Sequence, residues 1–154
     1  MRALISLLCL VFTLSSAAIG QNIVRESDGL FYNENNRLYT GTYREYHENG
    51  NIKLEIPVRR GLKNGEVLLY FEDGTKNEIR SYRSGEMHGT WITWDKSGNR
   101  LAQAVYHRGL KDGNWYIWDD TGQLRYDMNY KRGNRTGTWR MFDEEGTLVM
   151  AQSY

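Results

Sequence analysis

Three histidines are the most chemically versatile side chains in this sequence, because an imidazole can bind zinc or iron and can transfer a proton near neutral pH. They are His47, His88 and His107. A metal centre built on a repeated slot would place imidazoles at equivalent positions, whereas these three fall at three different phases of the 24-residue repeat described below. We therefore predict no histidine metal site.

Acidic pairs such as Asp119-Asp120 could carry acid–base chemistry or bind calcium. They fall in predicted hairpin loops, where access to water gives no reason for the separated pKa values that catalysis needs. Calcium bound by Asp119, Asp120, Asp143 and Glu144 is an alternative, although their spacing differs from that of the EF-hand loop. No nucleophile elbow or phosphate-binding loop occurs. We predict no catalytic residue, no metal and no cofactor, and hence no enzyme.

The N-terminus has the pattern of an export signal. Its apolar run, residues 3–14, is shorter than the roughly 20 residues of a membrane span, and small residues at Ala18 and Gly20 suit cleavage after Gly20. We expect residues 1–20 to be a cleaved signal peptide and the chain to be periplasmic, in the outer envelope or extracellular. A retained anchor helix is the alternative. Cys9 is the single cysteine and lies in this run, so the mature chain would contain no disulfide.

A repeat of 24 residues organises the rest of the chain. The leading glycines are Gly41, Gly65, Gly89, Gly113 and Gly137, each followed nine residues later by a second glycine. A third set is Gly61, Gly85, Gly109 and Gly133, with Arg37 in the opening slot. The first aromatic column is Tyr43, Val67, Trp91, Trp115 and Trp139; the second is Tyr46, Tyr70, Trp94, Trp118 and Phe142; the third is Val58, Tyr82, Tyr106, Tyr130 and Tyr154.

Each unit has the pattern of a β-hairpin. In one unit, residues 89–94 are β-branched and aromatic, residues 95–98 form a turn with Asp first and Gly last, and residues 99–106 form a second strand. Residues 108–113 then return the chain to the next hairpin. We predict an all-β fold: an elongated, twisted antiparallel repeat sheet of five 24-residue β-hairpin units and about ten strands at residues 41–154, after an N-terminal cap at residues 21–40. The cap contains a degenerate hairpin from Leu30 to Tyr39.

The segment Gly109-Leu-Lys-Asp-Gly113-Asn-Trp115-Tyr-Ile-Trp118-Asp-Asp-Thr-Gly122-Gln-Leu124 resembles the MORN-repeat variant of bacterial YwqK-type proteins, which are often labelled antitoxins. The resemblance covers about residues 30–154. It implies strings of β-hairpins and interaction or scaffold roles, with no catalytic residues to transfer.

The first and second aromatic columns are separated by an odd number of residues, so they should lie on opposite faces of the sheet. Rings that stack from repeat to repeat would form the core of a single-layer sheet. The alternative is that one column, particularly Trp94 and Trp118, is an exposed platform for a glycan, peptide or lipid.

Charge separates between the two sets of turns, although the whole chain has a formal charge of only +1. One set carries ten acidic residues against one lysine, and the other carries nine basic residues against two acidic ones. The basic residues are Arg59, Arg60, Lys63, Arg83, Arg108, Lys111, Lys131, Arg132 and Arg135. Such charges can simply protect turns and edges from aggregation, or the basic edge can bind an anionic partner.

These observations predict a non-catalytic exported scaffold or adaptor that binds a protein partner. An anionic surface or lipid headgroups are possible partners, and the near-neutral composition argues against nucleic acid. Two alternatives stay open: an antitoxin or immunity-like protein that masks a toxin, and a structural envelope component that self-associates through complementary charged edges.

Overall fold

The computed structural model describes residues 23–154, which form fifteen strands and no helix. The strands are β1 (Val24–Arg25), β2 (Phe31–Tyr32), β3 (Gly41–Tyr46), β4 (Ile52–Arg59), β5 (Leu62–Lys63), β6 (Gly65–Tyr70), β7 (Lys76–Arg83), β8 (Glu86–Trp94), β9 (Arg100–His107), β10 (Leu110–Lys111), β11 (Gly113–Trp118), β12 (Leu124–Lys131), β13 (Asn134–Arg135), β14 (Thr138–Phe142) and β15 (Leu148–Ser153). The predicted signal peptide lies outside these residues. No helix suited to crossing a membrane occurs between residues 23 and 154.

One antiparallel sheet contains thirteen of these strands. Ten longer strands follow one another in chain order from β3 at one edge to β15 at the other, and each adjacent pair is antiparallel. The short strands β5, β10 and β13 pair beside β4, β9 and β12. The predicted all-β sheet of repeated hairpins is therefore confirmed, and the prediction of about ten strands missed the three short ones.

The turns that join the two strands of each unit form as their sequence predicts. In the third unit the Asp95 carboxylate accepts a hydrogen bond from the N–H of Asn99 at 2.8 Å, and the N–H of Gly98 donates to the Asp95 carbonyl at 3.1 Å. Gly98 has φ of 84°, in the left-handed region where glycine is favoured. The aspartate and the glycine therefore define this turn together.

The turns between units differ from the single loop predicted at residues 108–113. Arg108 and Gly109 form a two-residue turn with φ of 49° and 78°, which is the type I′ pattern. The short strand β10 follows and pairs with the end of β9, and the N–H of Asp112 then donates to the Val105 carbonyl at 3.0 Å. The chain therefore reverses within two residues before the next long strand begins.

All five leading glycines have positive φ, and close packing adds to the requirement for glycine at Gly89. Gly89 has φ of 103°, and a Cβ atom placed on it would lie 3.0 Å from the Cβ of Ser81 on the preceding strand. A side chain there would need both a strained backbone and a shifted neighbour. Positive φ is the requirement that all five leading glycines share, because at Gly137 the nearest atom to an added Cβ would be 3.8 Å away.

The fully buried core lies at the N-terminal end of the sheet. It consists of Phe31, Ile56, Val58 and Val67, and the Phe31 ring lies 5.3 Å from that of Tyr43. Within residues 23–40, β2 contains Phe31 and pairs with β1 in a separate two-stranded sheet, and Tyr32 also forms an antiparallel bridge with Leu38. Burial of one aromatic ring thus attaches the cap to the first repeat unit.

Candidate binding surfaces

Seven aromatic rings form a continuous ladder on one face of the sheet, with neighbouring ring centroids 4.9–5.6 Å apart. The ring ladder consists of Tyr82, Trp91, Tyr106, Trp115, Tyr130, Trp139 and Tyr154. It interleaves the first and third aromatic columns, so rings do stack from repeat to repeat. Each tilted pair contributes about 0.5–1.5 kcal/mol beyond simple area burial.

A repeated indole hydrogen bond fixes the orientation of the ladder tryptophans. The Nε1–H of Trp91 donates to the Ser81 carbonyl at 3.1 Å, and that of Trp115 donates to the Val105 carbonyl at 3.1 Å. In the same way, the Nε1–H of Trp139 donates to the Asn129 carbonyl at 2.9 Å. The ring ladder is therefore part of the packed core of the sheet, and an indole hydrogen bond holds its tryptophan in place in three units.

The second aromatic column lies on the opposite face, as the odd spacing predicts. Trp118 shares its face with Tyr116, whose ring is 5.6 Å away, and the Arg100 guanidinium lies 5.5 Å from its ring centroid. Trp94 is partly buried and lines a shallow groove beside the side chain of Lys96. Trp94 and Trp118 are thus half-exposed rings on the face opposite the ring ladder, each beside basic side chains.

The nine predicted basic residues separate into three rows along the edge formed by the type I′ turns. The strand-end row is Arg59, Arg83 and Lys131, the turn-tip row is Arg60, Arg108 and Arg132, and the ladder row is Lys63, Lys111 and Arg135. The turn between the second and third units departs from this pattern, with Ser84 at its tip and Met87 in the ladder row. The sequence predicted one basic edge. In the structure, the side chains of these nine residues extend in different directions, and only some of them extend into solvent.

The turn-tip row is exposed and conformationally unusual. Arg60, Arg108 and Arg132 have φ of 51°, 49° and 48°, a region that arginine rarely occupies. The following glycines join the turns of successive units: the N–H of Gly109 donates to the Met87 carbonyl at 2.9 Å. The arginines are therefore presented at fixed intervals on hydrogen-bonded turns.

The ladder row points onto the ring ladder. The Lys111 ammonium lies 4.2 Å from the Trp115 centroid and 4.7 Å from that of Tyr130. The Arg135 guanidinium lies 4.6 Å from the Trp139 centroid in the same way. These cations stabilise the core through cation–π contacts, which separates them from the solvent-directed arginines at the turn tips.

In the strand-end row, Lys131 already has an anionic partner. Its ammonium lies 2.9 Å from the Asp112 carboxylate, which also accepts a hydrogen bond at 3.4 Å from the N–H of Arg132. The hydrogen bond from Lys131 is the main cause that lowers the pKa of Asp112, with the N–H of Arg132 adding to it. Asp112 therefore offsets part of the positive charge at this turn.

Two histidines lie together in the middle of the basic edge. The ring centroids of His88 and His107 are 4.7 Å apart, because Gly89 pairs with Tyr106 and so makes their neighbours cross-strand partners. Desolvation, followed by the charges of Arg83 and His107, lowers the pKa of His88. Comparing the phases of the repeat did not find this pair, whereas applying the hairpin register to residues 88 and 107 would have.

One aspartate in each of four turns of the acidic edge takes part in turn formation: Asp73, Asp95, Asp119 and Asp143. The Asp119 carboxylate accepts hydrogen bonds from the Thr121 hydroxyl at 2.7 Å and from the N–H of Gln123 at 3.0 Å. The Thr121 bond leads the causes that lower the pKa of Asp119, and Thr75 has the same effect on Asp73. Across residues 23–154 no three His, Cys, Asp or Glu side chains are grouped so as to hold a metal ion.

Comparison with known families locates the repeat in two places. Residues 39–59 and 111–132 match the model of the MORN repeat variant, and the two starting points differ by three of the 24-residue periods. No curated protein matches the chain. The chain therefore contains MORN-variant repeat segments at residues 39–59 and 111–132.

Proposed function

We propose that this protein is a non-catalytic, exported interaction scaffold or adaptor that binds an anionic protein partner along the turn-tip row. MORN repeats are associated with protein or membrane binding, which supports a binding role in general. The basic edge supports the choice of an anionic partner, because like charges arranged in a row attract a complementary surface and accelerate the encounter.

One observation carries the proposal: arginine occupies left-handed backbone positions at three turn tips. The first residue of a type I′ turn favours Asn, Asp or Gly, because an ordinary side chain costs energy at positive φ. The turn requires a residue with positive φ at this position, and it does not require a long cationic side chain. Retaining arginine at Arg60, Arg108 and Arg132 is therefore better explained by what the guanidinium contacts than by the fold.

The spacing of the row defines the kind of partner. Consecutive units are displaced by two strands, which corresponds to roughly 10 Å at about 4.8 Å per strand. Arg108 and Arg132 occupy consecutive units, whereas Arg60 lies two units before Arg108. The complementary surface would therefore carry acidic groups in a line at multiples of this interval, such as one acidic helix or strand.

The experiment is affinity capture of the full chain's partner from an envelope extract at low and high salt, followed by calorimetry with the purified partner. A variant with Arg60, Arg108 and Arg132 changed to Asn should lose binding at least tenfold, and high salt should weaken the parent chain similarly. A matched variant, Ser84→Asn, occupies the same turn position without loss of charge and should bind normally. Equal binding by both variants would refute the proposed site.

An antitoxin-like role is a narrower form of this proposal, in which the partner is a toxin masked by the turn-tip row. It rests on the YwqK-type resemblance of the repeat motif. Co-expression of a captured toxin with the parent chain should restore growth, and co-expression with the triple Asn variant should not.

Self-association is favoured by the opposite charges of the two edges, although four aspartates of the acidic edge already accept hydrogen bonds within their turns. Sedimentation of the purified chain at low and high salt distinguishes this alternative, because complementary edges would give oligomers that dissociate in salt. Export itself is tested by N-terminal sequencing of the chain from the envelope fraction, which should begin at Gln21.

A further inference from the structure

A groove between the cap and the first two repeat units has the features of a small ligand site. Its volume is about 200 Å³, and its lining includes Phe31, Ile56 and Val67, three of the four fully buried hydrophobic residues. Four other depressions, lined by residues between positions 47 and 132, are larger in volume but more open to solvent. This groove therefore combines an apolar floor with contributions from the cap and from two units.

Three cations line the same groove: Arg25 from the cap, Lys63 from the first turn between units and Arg80 from β7. Lys63 is partly buried, and its ammonium lies 4.9 Å from the centroid of the Tyr82 ring. Desolvation, followed by the charges of Arg25 and Arg80, lowers the pKa of Lys63. The three positive charges are thus close enough to disfavour one another.

The protein compensates these charges only in part. Glu78 pairs with Arg80 at 2.6 Å, and Glu45 lines the groove while accepting a hydrogen bond from the Tyr43 hydroxyl at 3.2 Å. Among the lining residues and their ion pair with Glu78, three cations face two carboxylates, an excess of one positive charge.

We propose that this groove binds a small carboxylate with an apolar body. The carboxylate accepts hydrogen bonds from Lys63 and Arg25, with the Arg80 guanidinium adding positive charge beside them, and the apolar body lies on the floor that contains Phe31. One added negative charge balances the groove. The volume is below the roughly 300–1,000 Å³ of sites for drug-sized ligands, so a short aliphatic acid or the C-terminal residue of a peptide fits best.

The site is separate from the turn-tip row. Arg25 and Arg80 do not belong to the basic edge, and the groove opens on the ladder face at the cap. Binding here joins the cap to two repeat units, so a ligand should also raise the melting temperature by mass action. A variant that loses the groove can therefore retain the protein partner, and the reverse also holds.

The test is calorimetric titration of the full chain with octanoate, with octanol and octylamine as controls for the apolar body alone and for the opposite charge. Octanoate should bind in the millimolar range or tighter and raise the melting temperature, whereas the two controls should bind at least tenfold more weakly. A second arm compares N-acetyl-Phe-Leu with its C-terminal amide, which distinguishes a peptide terminus from a free acid as the source of the carboxylate.

Variants locate the site. Arg25→Gln and Lys63→Gln should each weaken octanoate binding about tenfold, the loss expected for one charge-assisted hydrogen bond. Arg37→Gln and Lys53→Gln remove matched exposed cations elsewhere and should leave it unchanged. The proposal is overturned if octanol binds as tightly as octanoate, if neither carboxylate binds, or if the control variants weaken binding as much as the groove variants.

Discussion

Replacing the three turn-tip arginines with asparagine should stabilise the fold while it removes partner binding. Asparagine adopts positive φ more readily than arginine, and it retains the backbone N–H that Arg60 donates to the Thr40 hydroxyl at 2.9 Å. The substitution therefore removes strain without removing a hydrogen bond of the turn. This combination of gain and loss is the signature of residues retained for function rather than for stability.

The magnitude follows from the backbone. A left-handed conformation costs an ordinary residue about 1–2 kcal/mol, and asparagine recovers part of it, about 0.5–1 kcal/mol at each turn. The turns are roughly 10 Å apart or more, so the effects should add to about 2 kcal/mol. For a chain of this length that corresponds to a rise of roughly 4–8 °C in melting temperature.

Urea denaturation and thermal melting of the parent chain, the triple variant and two controls measure this gain. Ser84→Asn should give one third of it without removing charge, because Ser84 has φ of 49°. Arg83→Asn removes a neighbouring exposed cation at a strand position and should give no gain. If the triple variant and Ser84→Asn are both no more stable than the parent, the argument from backbone strain is wrong.

Three further predictions concern the fold. Trp115→Phe keeps a ring in the ladder but loses the indole hydrogen bond, so it should cost about 1–2 kcal/mol, against about 3–5 kcal/mol for Trp115→Ala, as measured by urea denaturation. Gly89→Ala should destabilise more than Gly98→Ala, which should cost about 1 kcal/mol, because an alanine Cβ at position 98 has nothing within 4 Å. Since the pKa of Asp119 is lowered in the folded chain, first by the Thr121 hydroxyl, its contribution is present above the ordinary carboxyl pKa and is lost as pH falls through the lowered value. Asp119→Asn should therefore flatten the loss of stability below about pH 4, seen as a smaller shift in the urea midpoint.

Much of the fold could be predicted from the sequence because a fixed period constrains every unit at once. The glycines and aromatic columns gave the hairpins, the strand order and the opposite faces of Trp115 and Trp118. The turn at Asp95 could also be predicted, since its chemistry is local: one carboxylate, one glycine and five residues of chain.

The basic edge was less predictable, because its arrangement depends on which residues pair across strands and on the direction in which each side chain extends. The sequence placed Lys63, Lys111 and Arg135 on the basic edge, but nothing in the local sequence indicates that they turn back onto rings of the ladder. The two-residue turn at Arg108 was missed because arginine is a poor residue for type I′ geometry. Arginine at the first position of a type I′ turn is unusual. This is why the turn was not predicted, and it is also the reason to infer that the turn-tip arginines bind a partner.

Ser84 provides the converse experiment, since it is the one turn tip of the four in residues 60–132 that lacks a cation. Ser84→Arg would complete a row of four charges at intervals of roughly 10 Å. If acidic groups of the partner follow that interval, binding should tighten by up to about tenfold at low salt and the gain should vanish at high salt, while stability stays within about 0.5 kcal/mol. Calorimetry at two salt concentrations measures the first effect and urea denaturation the second. Weaker binding would instead mean that the gap at Ser84 is itself part of the recognition surface, with the partner's contact made beside it.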